Sequence, residues 1–220
     1  MVCIIVPAYN EGENIGRVVR GLFEQGWRDV VVVDDGSTDS TATTAREAGA
    51  TVLVHALNRG QGAALQTGNE YALQEGASYA VHFDGDGQFN PRDIAPALRL
   101  IEQENLDIVL GSRLLDNRSR VPWLKRYVIL PIGRWINFVF TGLWLSDAHN
   151  GFRVISRRAL AKIVITEDHM AHNTEITAAI KTHGLRFKEV SVEVTYHEMG
   201  QGIAGGLKII SDLVMHKLTR

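Results

Sequence analysis

The sequence carries one cysteine in 220 residues, five prolines and a net charge of only −2. A single cysteine, Cys3, excludes an internal disulfide framework and a cysteine-ligated zinc centre, and it suits a reducing, cytoplasmic setting. The near-neutral charge excludes a nucleic-acid binder held by bulk electrostatics. The N-terminal "MVCIIVPAYN" lacks the basic region and cleavage site of a signal peptide, and it reads as a first core strand. Clean apolar runs of membrane-spanning length are also missing. The nearest approach, "YVILPIGRWINFVFTGLWL" at 127–145, is interrupted by Pro131, Gly133, Arg134 and Asn137. An arginine in mid-helix costs about 2.5–3.5 kcal/mol on insertion scales. This segment reads either as an amphipathic, partly exposed apolar surface or as a buried core helix.

What is present is alternation. Strands are predicted at "CIIVPAY", "DVVVVDD", "TVLVHA", "YAVHFD" and "DIVLGSR", as apolar runs of the kind that buried parallel strands require. Between them lie segments with helical spacing, such as "ENIGRVVRGLFEQ" with Ile15, Val18, Val19 and Leu22 on one face. Repeated β-α units of this length imply an α/β fold with a mostly parallel central sheet flanked by helices. After Arg113 the rhythm breaks. A basic and aromatic stretch leads to a helix around "NTEITAAIKTHG", a strand at "FKEVSVEVTYHE", a glycine-rich "GQGIAGG" and a final helix. One domain over 1–220 is expected, with a first half at 1–113 and a specialised second half at 114–220.

In parallel α/β sheets, ligands bind beyond the carboxyl ends of the strands. Three predicted strands end in polar turns: "VPAYNE", "VVDDGSTD" and "HFDGDGQ". Ser37, Thr38 and Asp39 read equally well as capping residues. Asp84 and Asp86 are harder to explain as caps. Carboxylates spaced i, i+2 at a strand end face the same side and repel. A hard cation, Mg²⁺ or Mn²⁺, removes that cost, taking one or two carboxylates together with phosphate oxygens and water. Gly85 and Gly87 then let a phosphate approach the backbone.

The ordered set "VPAYNE" (6–11), "VVDDGSTDST" (32–41), "NRGQGAALQTG" (58–68), "DGDGQ" (84–88), "GSR" (111–113) and "SDAHNGFRVISR" (146–157) resembles the inverting family-2 glycosyltransferases of GT-A fold. Within that family it is most similar to polyprenol-phosphate sugar synthases of the dolichol-phosphate mannose and glucose type, over nearly the whole chain. The resemblance implies a UDP- or GDP-sugar donor, a Mg²⁺ or Mn²⁺ cofactor and a lipid-phosphate acceptor. It places Pro7, Tyr9 and Glu11 at the nucleoside, Asp35 (more than Asp34) at the base or ribose, and Gly60 and Gly62 in a loop close to the nucleotide. The same resemblance implies that Asp84, Asp86 and Gln88 form the metal and diphosphate shell and that Arg113 faces the phosphates or donor sugar. Structural alternatives remain: Pro7 and Tyr9 as shapers of a strand exit, Arg113 as a helix cap.

A hydroxyl acceptor needs a carboxylate base, whereas a phosphomonoester is already anionic near neutral pH. Asp147 and Glu175 are the candidate bases, with helix capping the alternative for Glu175. Arg118, Arg120, Lys125 and Arg126 suit a phosphate acceptor, Arg126 foremost. The chain departs from the lipid-phosphate pattern after its last predicted strand, where an Arg and a Lys are usual. Here His197 and Lys208 are the only basic residues near that loop. The stretch 200–206 reads as a lid, and the helix over 207–220, with its apolar stripe, as a peripheral membrane contact or a core-packed helix. A hydroxyl acceptor and a catalytically silent nucleotide-binding module are the rival readings, and the intact "DGDGQ" argues against the second. A dinucleotide-binding dehydrogenase is excluded, because "GQGAAL" lacks the third small residue and does not follow the first strand.

Overall fold

The computed structural model describes residues 1–195 apart from positions 117, 120 and 170. The expectations placed on Arg120, His197, Lys208, the 200–206 stretch and the final helix lie outside the described residues. Seven strands form one sheet in the order β3-β2-β1-β4-β6-β5-β7. They are β1 Val2–Ala8, β2 Asp29–Asp34, β3 Thr51–Val54, β4 Tyr79–His82, β5 Ile108–Ser112, β6 Arg153–Ser156 and β7 Phe187–Ser191. The helices are α1 Ile15–Glu24, α2 Thr41–Glu47, α3 Gln61–Gln74, α4 Ile94–Gln103, α5 Leu130–Thr141, α6 Arg157–Leu160 and α7 His172–Thr182.

β1 shows why the sheet forms. Ile4 and Val6 point into one apolar layer, and Cys3 and Ile5 into the other. A strand buried on both faces cannot alternate with polar residues, and each such aliphatic side chain contributes about 1.5–3 kcal/mol by burial. The mostly parallel α/β sheet expected from the sequence is present, with one feature that it did not show. β6 inserts antiparallel between β4 and β5, pairing His82 with Arg153 and Leu110 with Arg153. "RVIS" begins with an arginine and runs into a further basic stretch, with no continuous apolar run to announce a strand, and its direction follows only from where the chain re-enters the sheet. β6 and β7 thus build the second half of the chain into the sheet of the first.

The ambiguous segment at 127–145 resolves as α5, and its apolar residues face outward. Trp135 is 63% exposed and Val139 58%, while Leu130, Asn137 and Thr141 turn inward. Arg134 is held at the base of the helix, donating to the Leu145 carbonyl at 2.9 Å and lying 5.0 Å from the Trp144 ring. Among the described residues no helix is long and apolar enough to cross a membrane.

Candidate functional site

Adjacent strands β2, β1 and β4 end on the same sheet edge, so the turns after them meet there. The first two are stitched together by side chains. Asn10, in the left-handed region at φ 54°, donates its backbone N–H to Ser37 Oγ at 2.9 Å, and its Oδ1 accepts from Thr38 N at 3.0 Å. Asp39 accepts from Gly12 N at 2.9 Å, and Thr41 Oγ1 accepts from Glu11 N at 2.8 Å. The hydroxyls and carboxylate of "STD" are therefore structural, the capping alternative of the sequence reading. Asp35 is 2% exposed. Its carboxylate accepts from Gly60 N at 2.6 Å, Arg59 N at 3.0 Å and His55 at 2.6 Å. It anchors the loop that leads into α3 while still lining the cleft.

The segment "DGDGQ" is bracketed by Phe83 and Phe89, which pack on Phe152 just before β6, with ring centres 5.7–6.5 Å apart. Edge-on aromatic contacts of this kind contribute about 0.5–1.5 kcal/mol each beyond burial. Both ends of a polar turn are thereby held on an apolar base. Gly87 takes a left-handed φ of 75°, which turns the chain back toward Gln88. Gln88 N donates to Asp86 Oδ1 at 2.9 Å. Gln61, the first residue of α3, donates to Asp84 Oδ1 at 2.9 Å. Gln61 was not singled out in the sequence, although a polar residue opening a helix directly after Gly60 was the available signal.

The carboxylates repel as expected. Burial and then the neighbouring Asp86 push the Asp84 carboxyl up to about 7. Glu11 is also raised, first by burial and further by Asp86 and Asp39, against a lowering hydrogen bond from Asn14. Among the described residues no group of three or more His, Cys, Asp or Glu forms a metal cage. The Asp84–Asp86 pair fits instead a hard cation that completes its shell with phosphate oxygens and water. Such a cation would relieve the repulsion that holds the Asp84 proton.

Gly60 and Gly62 serve a purpose the sequence did not suggest. A Cβ on Gly62 would lie 1.9 Å from the Glu167 carbonyl, and one on Gly60 would lie 2.2 Å from that of Asp168. The 165–169 loop crosses the N-terminus of α3 here, and Gly62 N donates to Asp168 O at 2.8 Å. Glu175 supports this loop. It accepts from Thr166 N at 2.9 Å, Thr166 Oγ1 at 2.6 Å and Glu167 N at 3.0 Å, and it does not line the cleft. Glu175→Gln is therefore expected to keep kcat within about threefold and to weaken donor binding modestly. A general base at this position would instead cost about 10²–10⁴ in kcat, and steady-state kinetics of the variant separate the two.

Asp147 is likewise turned inward. Its side chain is fully buried and forks onto Arg113, at 2.5 Å from Nε and 2.9 Å from Nη2, with Asn150 Nδ2 at 3.2 Å. Asp147, a candidate base in the sequence, is thus placed against Arg113, which lines the cleft, and is not itself among the lining residues. Burial raises the Asp147 carboxyl, but Arg113 and its hydrogen bonds outweigh this and hold it low. Arg118 is taken up by Asp93, Asp116 and the Ser191 carbonyl. Arg126 lies in the π-helical turn Lys125–Ile129, 6.0 Å from the Tyr127 ring centre, and is not among the cleft-lining residues.

The result is one cleft of about 570 Å³. Pro7, Tyr9, Glu11, Asp35 and Gly60 line it together with Asp84, Gly85, Asp86 and Gln88, and with Arg113, His149 and Asn150. Sequence reading missed His149, Asn150, His169 and Asn173, which carry no spacing pattern of their own. Two carboxylates, a clamped guanidinium and exposed backbone turns can together hold a diphosphate and a cation.

Comparison with known proteins gives the family. The model of the glycosyl transferase family 2 matches residues 3–164. The UDP-N-acetylglucosamine–dolichyl-phosphate N-acetylglucosaminyltransferase of Methanococcus voltae is 30% identical, covering 99% of this chain and 96% of its own. The undecaprenyl-phosphate mannosyltransferase of Micrococcus luteus is 30% identical over 94% of this chain and 88% of its own. Glucosyl-3-phosphoglycerate synthase of Mycobacterium tuberculosis, solved with Mn²⁺ and UDP-glucose, superposes with a TM-score of 0.72 at 19% identity, covering 98% of this chain and 78% of that one. The last likeness carries the fold, which is the GT-A type expected from the motifs. By its domain, its sheet and its full-length relatives, the chain belongs to glycosyl transferase family 2 and is a glycosyltransferase.

Proposed function

We propose that this enzyme transfers a sugar, with inversion, from a UDP- or GDP-sugar to a polyprenyl phosphate. The observation that carries the acceptor is the placement of the two candidate bases. Neither Asp147 nor Glu175 lines the cleft, and both spend their oxygens on hydrogen bonds within the protein. A phosphate acceptor needs no base, because its oxygen is already anionic. Its attack on the anomeric carbon forms one C–O bond as the bond to the diphosphate breaks, and the nucleoside diphosphate leaves.

Pro7, Tyr9 and Glu11 would seat the nucleoside, with Asp35 beside its base or ribose. Asp84, Asp86 and Gln88 would hold Mg²⁺ or Mn²⁺, which neutralises charge on the departing diphosphate when bound. Arg113, fixed by Asp147, would face the phosphates, and Arg126 is the candidate for the acceptor phosphate. Relatives named for dolichyl and undecaprenyl phosphate support the lipid class. So does α5. Its Gly133 packs on His149, so that a Cβ there would lie 3.1 Å from the imidazole. His149 lines the cleft, while Trp135, Phe138 and Val139 on the same helix are exposed. An apolar surface thus adjoins the polar cleft, as a lipid carrying a phosphate requires and as peripheral membrane contact would use.

The test is nucleoside diphosphate release from UDP- and GDP-sugars with Mn²⁺ or Mg²⁺, with and without a short polyprenyl phosphate. Release is expected to depend on both metal and lipid phosphate. Metal-dependent release that ignores the lipid and rises with a saccharide would overturn the acceptor and leave the enzyme class standing.

A further inference from the structure

Beside the metal-candidate aspartates runs the segment Asn150–Arg153, whose Asn150 and Gly151 also line the cleft, and its tightest approach to Asp84 is at Gly151. A Cβ placed on Gly151 would lie 2.4 Å from Asp84 Oδ2, 2.8 Å from Oδ1 and 2.9 Å from Cγ. Its three nearest neighbours are thus all atoms of one carboxylate. The φ of Gly151 is not in the left-handed range, so backbone freedom does not explain the glycine. Space does.

We propose that Gly151 is a positioning residue of the metal shell, its bare α-carbon forming the seat on which the Asp84 carboxylate rests. The inference rests on the reading that Asp84 and Asp86 bind the divalent cation.

The segment cannot move aside to admit a side chain. Phe152 is fully buried, with its N–H on Asn150 Oδ1 at 3.0 Å and its carbonyl accepting from Gly111 N at 2.9 Å. The Gly151 carbonyl accepts from Arg153 Nη1 at 3.3 Å, and the same guanidinium donates to Asn173. Arg153 is 2% exposed and is itself locked in β6 between β4 and β5. Gln61 in turn holds Asp84 Oδ1. The carboxylate therefore meets both a donor on α3 and a bare α-carbon on the β6 approach. When a methyl group enters, the two-torsion Asp84 side chain is what gives way. Contacts that orient metal ligands typically govern affinity by 10–100-fold.

Gly151→Ala should weaken Mn²⁺ binding by at least about tenfold, read by the free-ion EPR signal with UDP and, separately, GDP present. Thermal unfolding tests whether the effect passes through Asp84. Gly151→Ala alone should lower Tm, whereas on an Asp84→Ala background, where the opposing carboxylate is gone, it should leave Tm unchanged. Unaltered Mn²⁺ affinity in Gly151→Ala would overturn the proposal, as would an equal Tm loss on both backgrounds. If the wild-type protein bound no Mn²⁺ with either nucleotide, the reading of Asp84 and Asp86 would fall as well.

Discussion

Asp86→Ala is expected to reduce metal-dependent turnover by a factor on the order of 10³ or more while leaving the fold intact. The magnitude follows from the part a cation plays opposite a departing diphosphate, several kcal/mol of charge stabilisation, at 1.36 kcal/mol per tenfold in rate. The intact fold follows from the electrostatics of the cleft. Asp86 pushes up the carboxyl groups of both Asp84 and Glu11, so its removal relieves repulsion. Against this stands the hydrogen bond that Asp86 accepts from Gln88 N, worth about 1 kcal/mol. Tm should stay within about 4 °C of the parent. Nucleoside diphosphate release and a melting curve on the same preparation check both halves. Full turnover in this variant would remove the metal pair from the site.

Asp147→Ala should do the reverse, acting on stability first. It leaves the Arg113 guanidinium, in a residue only 8% exposed, without the carboxylate it forks onto. Breaking a buried pair from one side costs about 3–5 kcal/mol, which for a chain of this size lowers Tm on the order of 10 °C. Activity should fall as well, because Arg113 loses its orientation in the cleft. Arg113→Met/Asp147→Leu separates the causes, since replacing both members of a buried pair with apolar residues is often neutral for stability. That double variant should recover much of the Tm and none of the turnover. A base at Asp147 predicts instead that Asp147→Ala keeps near-parental stability and loses its rate alone.

The helices and most strands were readable because they are local facts. Burial on both faces makes "VCIIVPA" and "DVVVVD" continuous apolar runs, and Ile15, Val18, Val19 and Leu22 fall on one face of α1 whatever lies beyond it. The strand-end turns were readable for the same reason, since a parallel sheet delivers its carboxyl ends to one edge. Asp84 and Asp86 stood out because nothing local rewards two adjacent carboxylates.

Other features could not be read this way. Asp147 and Glu175 looked alike in the sequence, two acids near predicted elements. What each does depends on Arg113, 34 positions from Asp147, and on a loop backbone that folds over Glu175. Gln61 and Gly151 gain their meaning only because α3 and the approach to β6 both meet Asp84. The direction of β6 and the outward face of α5 are of the same kind.

By itself, then, the sequence determined the family, the layered α/β plan and the pair of aspartates at the sheet edge. These are written in residue types and their spacing, and a spacing of two or of 3.6 needs no distant partner to be visible. Tertiary structure alone decided which acids face the cleft and which face the protein, and why a glycine stands at 151. Those outcomes are set by distances between atoms far apart in the chain, where a carboxylate becomes a support or a ligand according to what the rest of the fold brings within about 3 Å of it.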